Sequence, residues 1–214
     1  MYGLNKLDEK IYQKLSLFKV KSNFFIEAGA NDGISQSNTA MLEFHKGWSG
    51  ILVEPNNINF EKAILNRPKS TVIRGALVAS NYTEKEVQGI FSDQSVSRFN
   101  GLCSGATEEH AKEFPEWLCK VPAIKLADIL AKNLLSNQIG FLSLDVEGYE
   151  LSALDGLNLD IWRPEVIVIE IARWEDANIV KDHTDFLSSK NYICIEDFEP
   201  NGHDFMFIDT KRSK

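Results

Sequence analysis

Apolar positions along the chain fall into short continuous runs separated by stretches of helical periodicity. Leu4, Leu7, Ile11, Leu15 and Phe18 recur every three or four residues, which predicts an amphipathic helix over 4–18 that caps the domain. "FFIEA" at 24–28 reads as a short buried strand. "SNTAMLEFHKG" follows as a helix, with Ser37 or Asn38 to cap it and Gly47 to stop it. A strand "GILVEPN" (50–56) broken by Pro55, a helix "NFEKAILNR" and a strand "STVIRGALVAS" (70–80) come next. The rhythm resumes with strand "FLSLDV" (141–146), helix "GYELSALDGL", strand "EVIVIEIA" (165–172) and helix "DHTDFLSSK". It finishes with "YICIEDF" and "DFMFIDT", close enough in sequence for an antiparallel hairpin.

Alternating strands and helices predict an α/β fold with a mostly parallel sheet of about seven strands, helices on both faces, and the hairpin making the sheet mixed. The runs "FFI", "GILV" and "VIVIEI" are near-continuous, as strands covered on both faces should be. Between 85 and 123 the rhythm fails: "FSDQSVSRFNGLCSG" is polar and "ATEEHAKEFPEWL" reads as a charged helix. This stretch is expected to be an insertion over the sheet edge, where substrate lids are built. At 214 residues the chain fits a single domain spanning 1–214.

Charge narrows the partners. The chain carries 23 Lys+Arg against 31 Asp+Glu, a net charge of −8. That argues against nucleic acid, whose binding rests on Lys and Arg displacing counterions. Cys103, Cys119 and Cys194 are odd in number and lack CxxC spacing, so neither a disulfide framework nor a zinc site is expected. The start lacks a signal-peptide core and no apolar run reaches the ~20 residues of a membrane span. A cytoplasmic setting follows as the default; oligomeric state is not legible.

In an open parallel sheet, ligands sit beyond the carboxyl ends of the strands. Four strands end there in acids, Glu27, Glu54, Asp145 and Glu170, and Glu147 follows Asp145. Such a rim repels pyrophosphate and suits a ligand with cationic and hydroxyl groups. The dinucleotide fingerprint also fails, because Asn31 and Ile34 stand where GxGxxG needs its second and third glycines. An NAD-binding Rossmann enzyme is therefore the weaker alternative. Gly29 and Gly33 let the backbone turn closely beneath a ligand, or simply make a tight strand-to-helix turn. Glu27 is placed to compensate an ammonium or sulfonium, and Glu54 to bind a ribose diol. Together these features match S-adenosylmethionine.

"FIEAGANDGISQSNT", "GWSGILVEPN", "NRP", "VPAIKLADIL", "FLSLDVEGYELSALDGL" and "RPEVIVIEI" occur in the order seen in FkbM-type methyltransferases, which the chain resembles from about residue 23 to 172. The resemblance implies a Rossmann-like methyltransferase fold and S-adenosylmethionine as cofactor. It places Glu27, Gly29, Ala30, Asn31 and Gly33 in the first cofactor loop, and Glu54, Pro55 and Asn56 at the ribose. It sets Ala76 and Leu77 by the adenine and Asp145 at the methionine end or the substrate. The paired serines that the family tends to carry after the third strand are matched only loosely by "DQSVSRF".

An oxygen acceptor must lose a proton, so a general base is sought among the rim acids. Three readings of Asp145 and Glu147 are open: base plus cofactor contact, a divalent-metal site, or helix capping without a chemical role. Glu170 points to the same rim. Arg173 could hold an anionic or sugar acceptor, or pair with Glu175 or Asp176. His203, in the turn "PNGHD", should lie on the cofactor side; His45 reads as a surface residue, and His110 and His183 as solvated. Ser95, Ser97 and Arg98 are candidate acceptor contacts. The implied activity is methyl transfer to a hydroxyl of a small molecule or sugar; a methyltransferase-like binding module without turnover is the other class.

Overall fold

The computed structural model describes residues 2–91, 115, 118–133, 138–171, 176–198 and 202–211. In chain order its strands are β1 Phe24–Ala28, β2 Ser49–Glu54, β3 Thr71–Arg74, β4 Ala76–Leu77, β5 Glu86–Ile90, β6 Leu118–Ile124, β7 Gln138–Leu144, β8 Arg163–Glu170, β9 Tyr192–Cys194 and β10 Asp204–Asp209. Its α-helices are α1 Leu7–Leu17, α2 Ala40–Lys46, α3 Asn57–Asn66, α4 Leu126–Asn133, α5 Glu150–Leu157 and α6 Ala177–Ser189.

Seven strands form one sheet in the order β3-β2-β1-β7-β8-β10-β9. β10 runs antiparallel to both neighbours, between β8 and β9, and the other pairings are parallel. The hairpin read from the sequence is thus folded back so that its second strand, not its first, meets the sheet. Strand order reverses between β1 and β7, the switch point where ligands bind in such sheets.

Side-chain alternation along each strand feeds two cores. Ile26, Ile51, Val53, Leu142, Leu144, Ile167 and Ile169 pack with Leu130 of α4, Leu154 and Leu157 of α5 and Leu187 of α6. On the other face Phe25, Leu52, Phe141, Val166 and Val168 pack with Leu7, Ile11 and Leu15 of α1 and Leu42 of α2. Neighbouring residues of one strand enter opposite cores, which is why "FFI" and "VIVI" show no polar alternation.

The stretch read as one third strand is two. β3 ends at Arg74; a Cβ on Gly75 would meet Ile124 Cδ1 at 2.2 Å, and after it Ala76 and Leu77 leave the main sheet to pair with β6. β6 also pairs antiparallel with β5, so both ends of the expected 85–123 insertion are strands. Pro122 lies in β6, the central strand of this three-stranded sheet. It is tolerated because β4 reaches only Ala123 and Ile124, leaving that side of Pro122 without a ladder to interrupt.

The small sheet is fastened to α5. Ser80 donates to Asp155 Oδ2 from its backbone N (2.8 Å) and its Oγ (2.6 Å). A Cβ on Gly156 would sit 2.1 Å from the Val78 carbonyl oxygen. In an exposed helix, Gly→Ala stabilises by about 1 kcal/mol; here Gly156→Ala is expected to lower the urea midpoint, because the helix and the strand must part. A raised midpoint would show that this contact does not hold the small sheet.

Candidate active site

The loop after β1 is built on backbone geometry. Gly29 (φ 80°), Asn31 (φ 51°) and Gly33 (φ 80°) all adopt left-handed conformations. A Cβ on Gly29 would lie 1.8 Å from the Asp145 carbonyl oxygen, so only glycine lets the loop lie against the end of β7. The Gly29 and Ala30 amides both donate to the Val53 carbonyl (3.0 and 3.2 Å), and Asp145 N donates to the Ala28 carbonyl (3.1 Å). The Asp32 carboxylate closes the turn by accepting from Ile34 N, Ser35 N and Ser35 Oγ.

Glu54 ties this loop to the next. One carboxyl oxygen accepts from Asn31 N (2.7 Å) and the other from Asn56 N (2.8 Å). Burial pushes its pKa up to about 7 against the two amide donors that favour the anion. Past Pro55, Asn56 caps α3 through Ile58 N and Asn59 N, and its amide donates to the Phe91 carbonyl (2.9 Å).

Glu27, expected to offer its charge to a ligand, turns its carboxylate into the protein. It is 4 % exposed and accepts from Ser37 Oγ, Asn38 N, Thr39 Oγ1 and Arg67 Nη1. Arg67 is fully buried and also pairs with Glu43 at 2.9 Å. Neither Ser37 nor Asn38 is the cap residue: α2 starts at Ala40, its N-cap is Thr39 without a side-chain cap bond, and Ser37 Oγ accepts from Ala40 N (3.0 Å) from the preceding turn. Asn38 instead donates its side-chain amide to Ser143 Oγ (3.0 Å).

The other wall is acidic. β7 stops at Leu144 and α5 begins only at Glu150, so Asp145 and Glu147 lie in a loop, with Glu147 at φ 56° and Gly148 at φ 98°. This removes the capping reading of Glu147: the acid of the first helical turn is Glu150, which accepts from Val146 N (3.3 Å) and Gly148 N (2.9 Å). Burial, then the charge and hydrogen bond of Glu170, hold Asp145 well above the ordinary carboxyl range. Glu147 is exposed at the surface, yet partial desolvation of its carboxyl, with Glu170 and Glu150 nearby, pushes it up to about 7.

His203 is exposed at this same rim; its carbonyl accepts from Ile171 N (2.9 Å), and the next residue, Asp204, faces Glu170 across the β8–β10 ladder. His183, expected to be solvated, is buried, with Nδ1 2.8 Å from the Ile179 carbonyl and Nε2 3.8 Å from Glu150. His45 is exposed as read, against Tyr2. Ala76 and Leu77 are buried at the root of the small sheet. Ser95, Ser97, Arg98, Arg173 and His110 lie outside the described residues. Among the described residues no group of three or more His, Cys, Asp or Glu side chains could hold a metal ion, so the metal reading of Asp145 and Glu147 finds no donor set there. The sequence reading gave no role to Arg67, Glu43 or Thr39; the one signal was "NRP", quoted for its order alone.

The Glu54 carboxyl makes a pH prediction. Its folded pKa of about 7 exceeds the ordinary 4.5, so between these values the folded chain holds more protons than the unfolded one. Stability therefore falls as pH rises from about 4.5 to about 7 and levels off above. For Glu54 this amounts to roughly 3 kcal/mol. Urea unfolding at pH 5 and pH 8 should show the loss, and Glu54→Gln should remove Glu54's share of it, leaving only what Asp145 and Glu147 contribute; an unchanged slope in that variant would refute the assignment.

The methyltransferase FkbM domain model matches residues 27–194. No curated protein sequence matches the chain significantly. Among solved structures, the human methyltransferase 10 domain containing protein aligns with a TM-score of 0.50 at 9% identity, over 94% of this chain and 80% of that one. An O-methyltransferase from Bacillus cereus in complex with SAH aligns with a TM-score of 0.50 at 11% identity, over 96% and 81%. A candidate caffeoyl-CoA O-methyltransferase from Staphylococcus aureus gives 0.52 at 9% identity, over 95% and 83%. At these identities the structures speak for the fold, a Rossmann-like methyltransferase sheet. The family match covers most of the chain and includes the glycine loop and all four acids of the rim: the protein belongs to the FkbM-domain methyltransferases and is an S-adenosylmethionine-dependent methyltransferase.

Proposed function

We infer that the protein methylates a hydroxyl oxygen on a small molecule or sugar, with Asp145 as the base. The observation that carries this is the Asp145 carboxyl, held above its ordinary range by burial and by the neighbouring Glu170, beside the loop that Gly29 presses against the Asp145 carbonyl. A carboxyl held well above its ordinary range can accept a proton near neutral pH, which is what a hydroxyl acceptor requires.

The residues present fit the cofactor. A carboxylate offers about four lone-pair sites; two of those on Glu54 hold Asn31 N and Asn56 N, leaving acceptors for a ribose diol. The loop 29–33 would run beneath the cofactor from Asp145, against which Gly29 lies, to Glu54, which Asn31 N meets, and Pro55, Asn56, Ala76 and Leu77 would border the adenosine. The acids Asp145, Glu147 and Glu170 favour a cation at the rim. Bound S-adenosylmethionine supplies an electrophilic methyl group on a sulfonium.

The chain's own part is to orient the acceptor and take its proton. The acceptor hydroxyl would give its proton to the Asp145 carboxylate, and the neighbouring Glu170 would favour the protonated form. Glu147 and His203, at the same rim, relay that proton to solvent, while Ser95, Ser97, Arg98 and Arg173 are proposed acceptor contacts. A small-molecule acceptor without nucleic acid and a reducing, cytoplasmic setting belong to the same proposal.

Calorimetry should show S-adenosylhomocysteine binding to the wild type; no binding would overturn the enzyme reading. With a labelled methyl donor and a panel of sugars and hydroxylated small molecules, Asp145→Asn should keep that affinity within about threefold and lower transfer roughly 10²–10⁴-fold. Equal transfer would remove Asp145 as base.

A further inference from the structure

The connection between α3 and β3 reaches back across the fold to the cofactor loop. Asn66 donates its side-chain amide to the Asp32 carbonyl (2.9 Å), and Arg67 Nη1 donates to the Gly33 carbonyl (2.9 Å). Two consecutive residues thus hold two consecutive carbonyls of the left-handed turn. The Arg67 stem also forms the floor of that turn, since a Cβ on Gly33 would lie 2.8 Å from Arg67 Cγ. Every nitrogen of the guanidinium is engaged: Nε with Glu43 (2.9 Å), Nη1 with Ser37 Oγ (3.2 Å) and Glu27 (3.3 Å) as well as Gly33, and Nη2 with Thr39 Oγ1 (2.9 Å). Its plane lies 5.3 Å from the Phe25 ring centroid and 5.8 Å from that of Phe44, a setting that a planar, weakly hydrated cation tolerates and an ammonium does not.

We propose that Arg67 is the positioning residue of the cofactor loop, and that Glu27 acts on cofactor binding through Arg67 and the 37–39 turn, not by touching the ligand. The proposal rests on the S-adenosylmethionine reading of the site. Left-handed residues such as Asn31 persist only where their surroundings over-determine them, and residues 66 and 67 supply that constraint. Both charged groups are sealed from the rim: Arg67 has no exposed surface, and the Glu27 carboxylate is already filled by the Ser37 and Thr39 hydroxyls, the Asn38 amide and Arg67. Their influence on a ligand therefore passes through the backbone of 29–33, and it falls on every part of the ligand alike.

Two ligands separate the alternatives. S-adenosylhomocysteine carries an amino-acid end, and methylthioadenosine shares the adenosine and thioether but lacks that end. Titrated into Arg67→Lys and Glu27→Gln at a temperature where circular dichroism shows both folded, both ligands should lose at least tenfold in affinity, by a common factor. Hydrogen exchange of the ligand-free Arg67→Lys variant should speed up at amides 29–35 while those of 139–144 keep their protection. Should Arg67→Lys fail to fold, Thr39→Val, which removes one hydroxyl shared by Glu27 and Arg67, should show the same pattern more weakly. Wild-type affinities with only a lowered melting temperature would reduce Arg67 to a structural residue and overturn the proposal. So would a Glu27→Gln variant that loses S-adenosylhomocysteine selectively, which is the mark of direct contact. Unchanged exchange at 29–35 would also refute it, whereas absence of ligand binding by the wild type would overturn the methyl-donor reading instead.

Discussion

A backbone-to-backbone contact sets the geometry of the ligand rim. Gly29 lies so close to the Asp145 carbonyl that a Cβ would come within 1.8 Å of it, and the amides of Gly29 and Ala30 share the carbonyl of Val53. Three strand ends, β1, β2 and β7, are thereby drawn to one point at the switch in strand order. Residues more than a hundred positions apart, Gly29 and Asp145, become neighbours because no side chain stands between the loops that carry them. With the separation fixed by main chain alone, Glu54 on one side and Asp145 on the other define the two flanks of the site.

That closeness has to be held from behind, and the fold does so with buried charge. Arg67, Glu27 and Glu43 carry a formal net charge of −1 with almost no surface between them. Replacing such a cluster by apolar residues would often cost nothing in stability, whereas removing one partner typically costs about 3–5 kcal/mol. Its presence under the glycine loop is therefore better understood as geometry than as adhesion. A guanidinium fork has fixed donor directions, and here they specify where the Gly33 carbonyl, the Ser37 and Thr39 hydroxyls and the Glu43 carboxylate must sit. Glu43 in turn accepts from Lys69 N and Ser70 Oγ, carrying the same constraint to the start of β3.

The sequence announced the parts of this arrangement that are local. β1 and β2 carry their own apolar runs, and their boundaries fall within two residues of those read from the pattern; the need for glycine at 29 and 33 could be read from a strand running into a turn. Long-range geometry was not available. An acid at a strand end shows that a carboxyl is near the rim, but the direction Glu27 takes depends on Arg67, forty positions away. Arg67 itself looks like an ordinary polar helix end. "FLSLDV" suggested a strand through Val146; the chain leaves the sheet at Leu144 because Glu147 and Gly148 turn left-handed and Glu150 gathers the loop amides. β5 and β6 were missed for another reason. "EVQGI" is short, Pro122 argues against a central strand, and only the brevity of β4 makes that proline harmless.

The rim's acidity then has a physical explanation. Glu54, Asp145 and Glu147 are all shifted upward, mainly by burial, and the last two also by their acidic neighbours. Near neutral pH the ligand-free rim therefore stores part of its negative charge as bound protons, which lessens the repulsion that would otherwise push the loops apart. A cation entering the rim favours the ionised form of each carboxyl and lowers its pKa; by the reciprocity of linked equilibria, binding the cation and releasing those protons are one event. An anionic ligand would have the opposite effect and would have to bring protons in with it. The same acids that make the empty fold tolerable thus discriminate by charge. Selectivity for a cation and the availability of a proton acceptor follow from one cause, the desolvation of the carboxyls that follow or end β2 and β7.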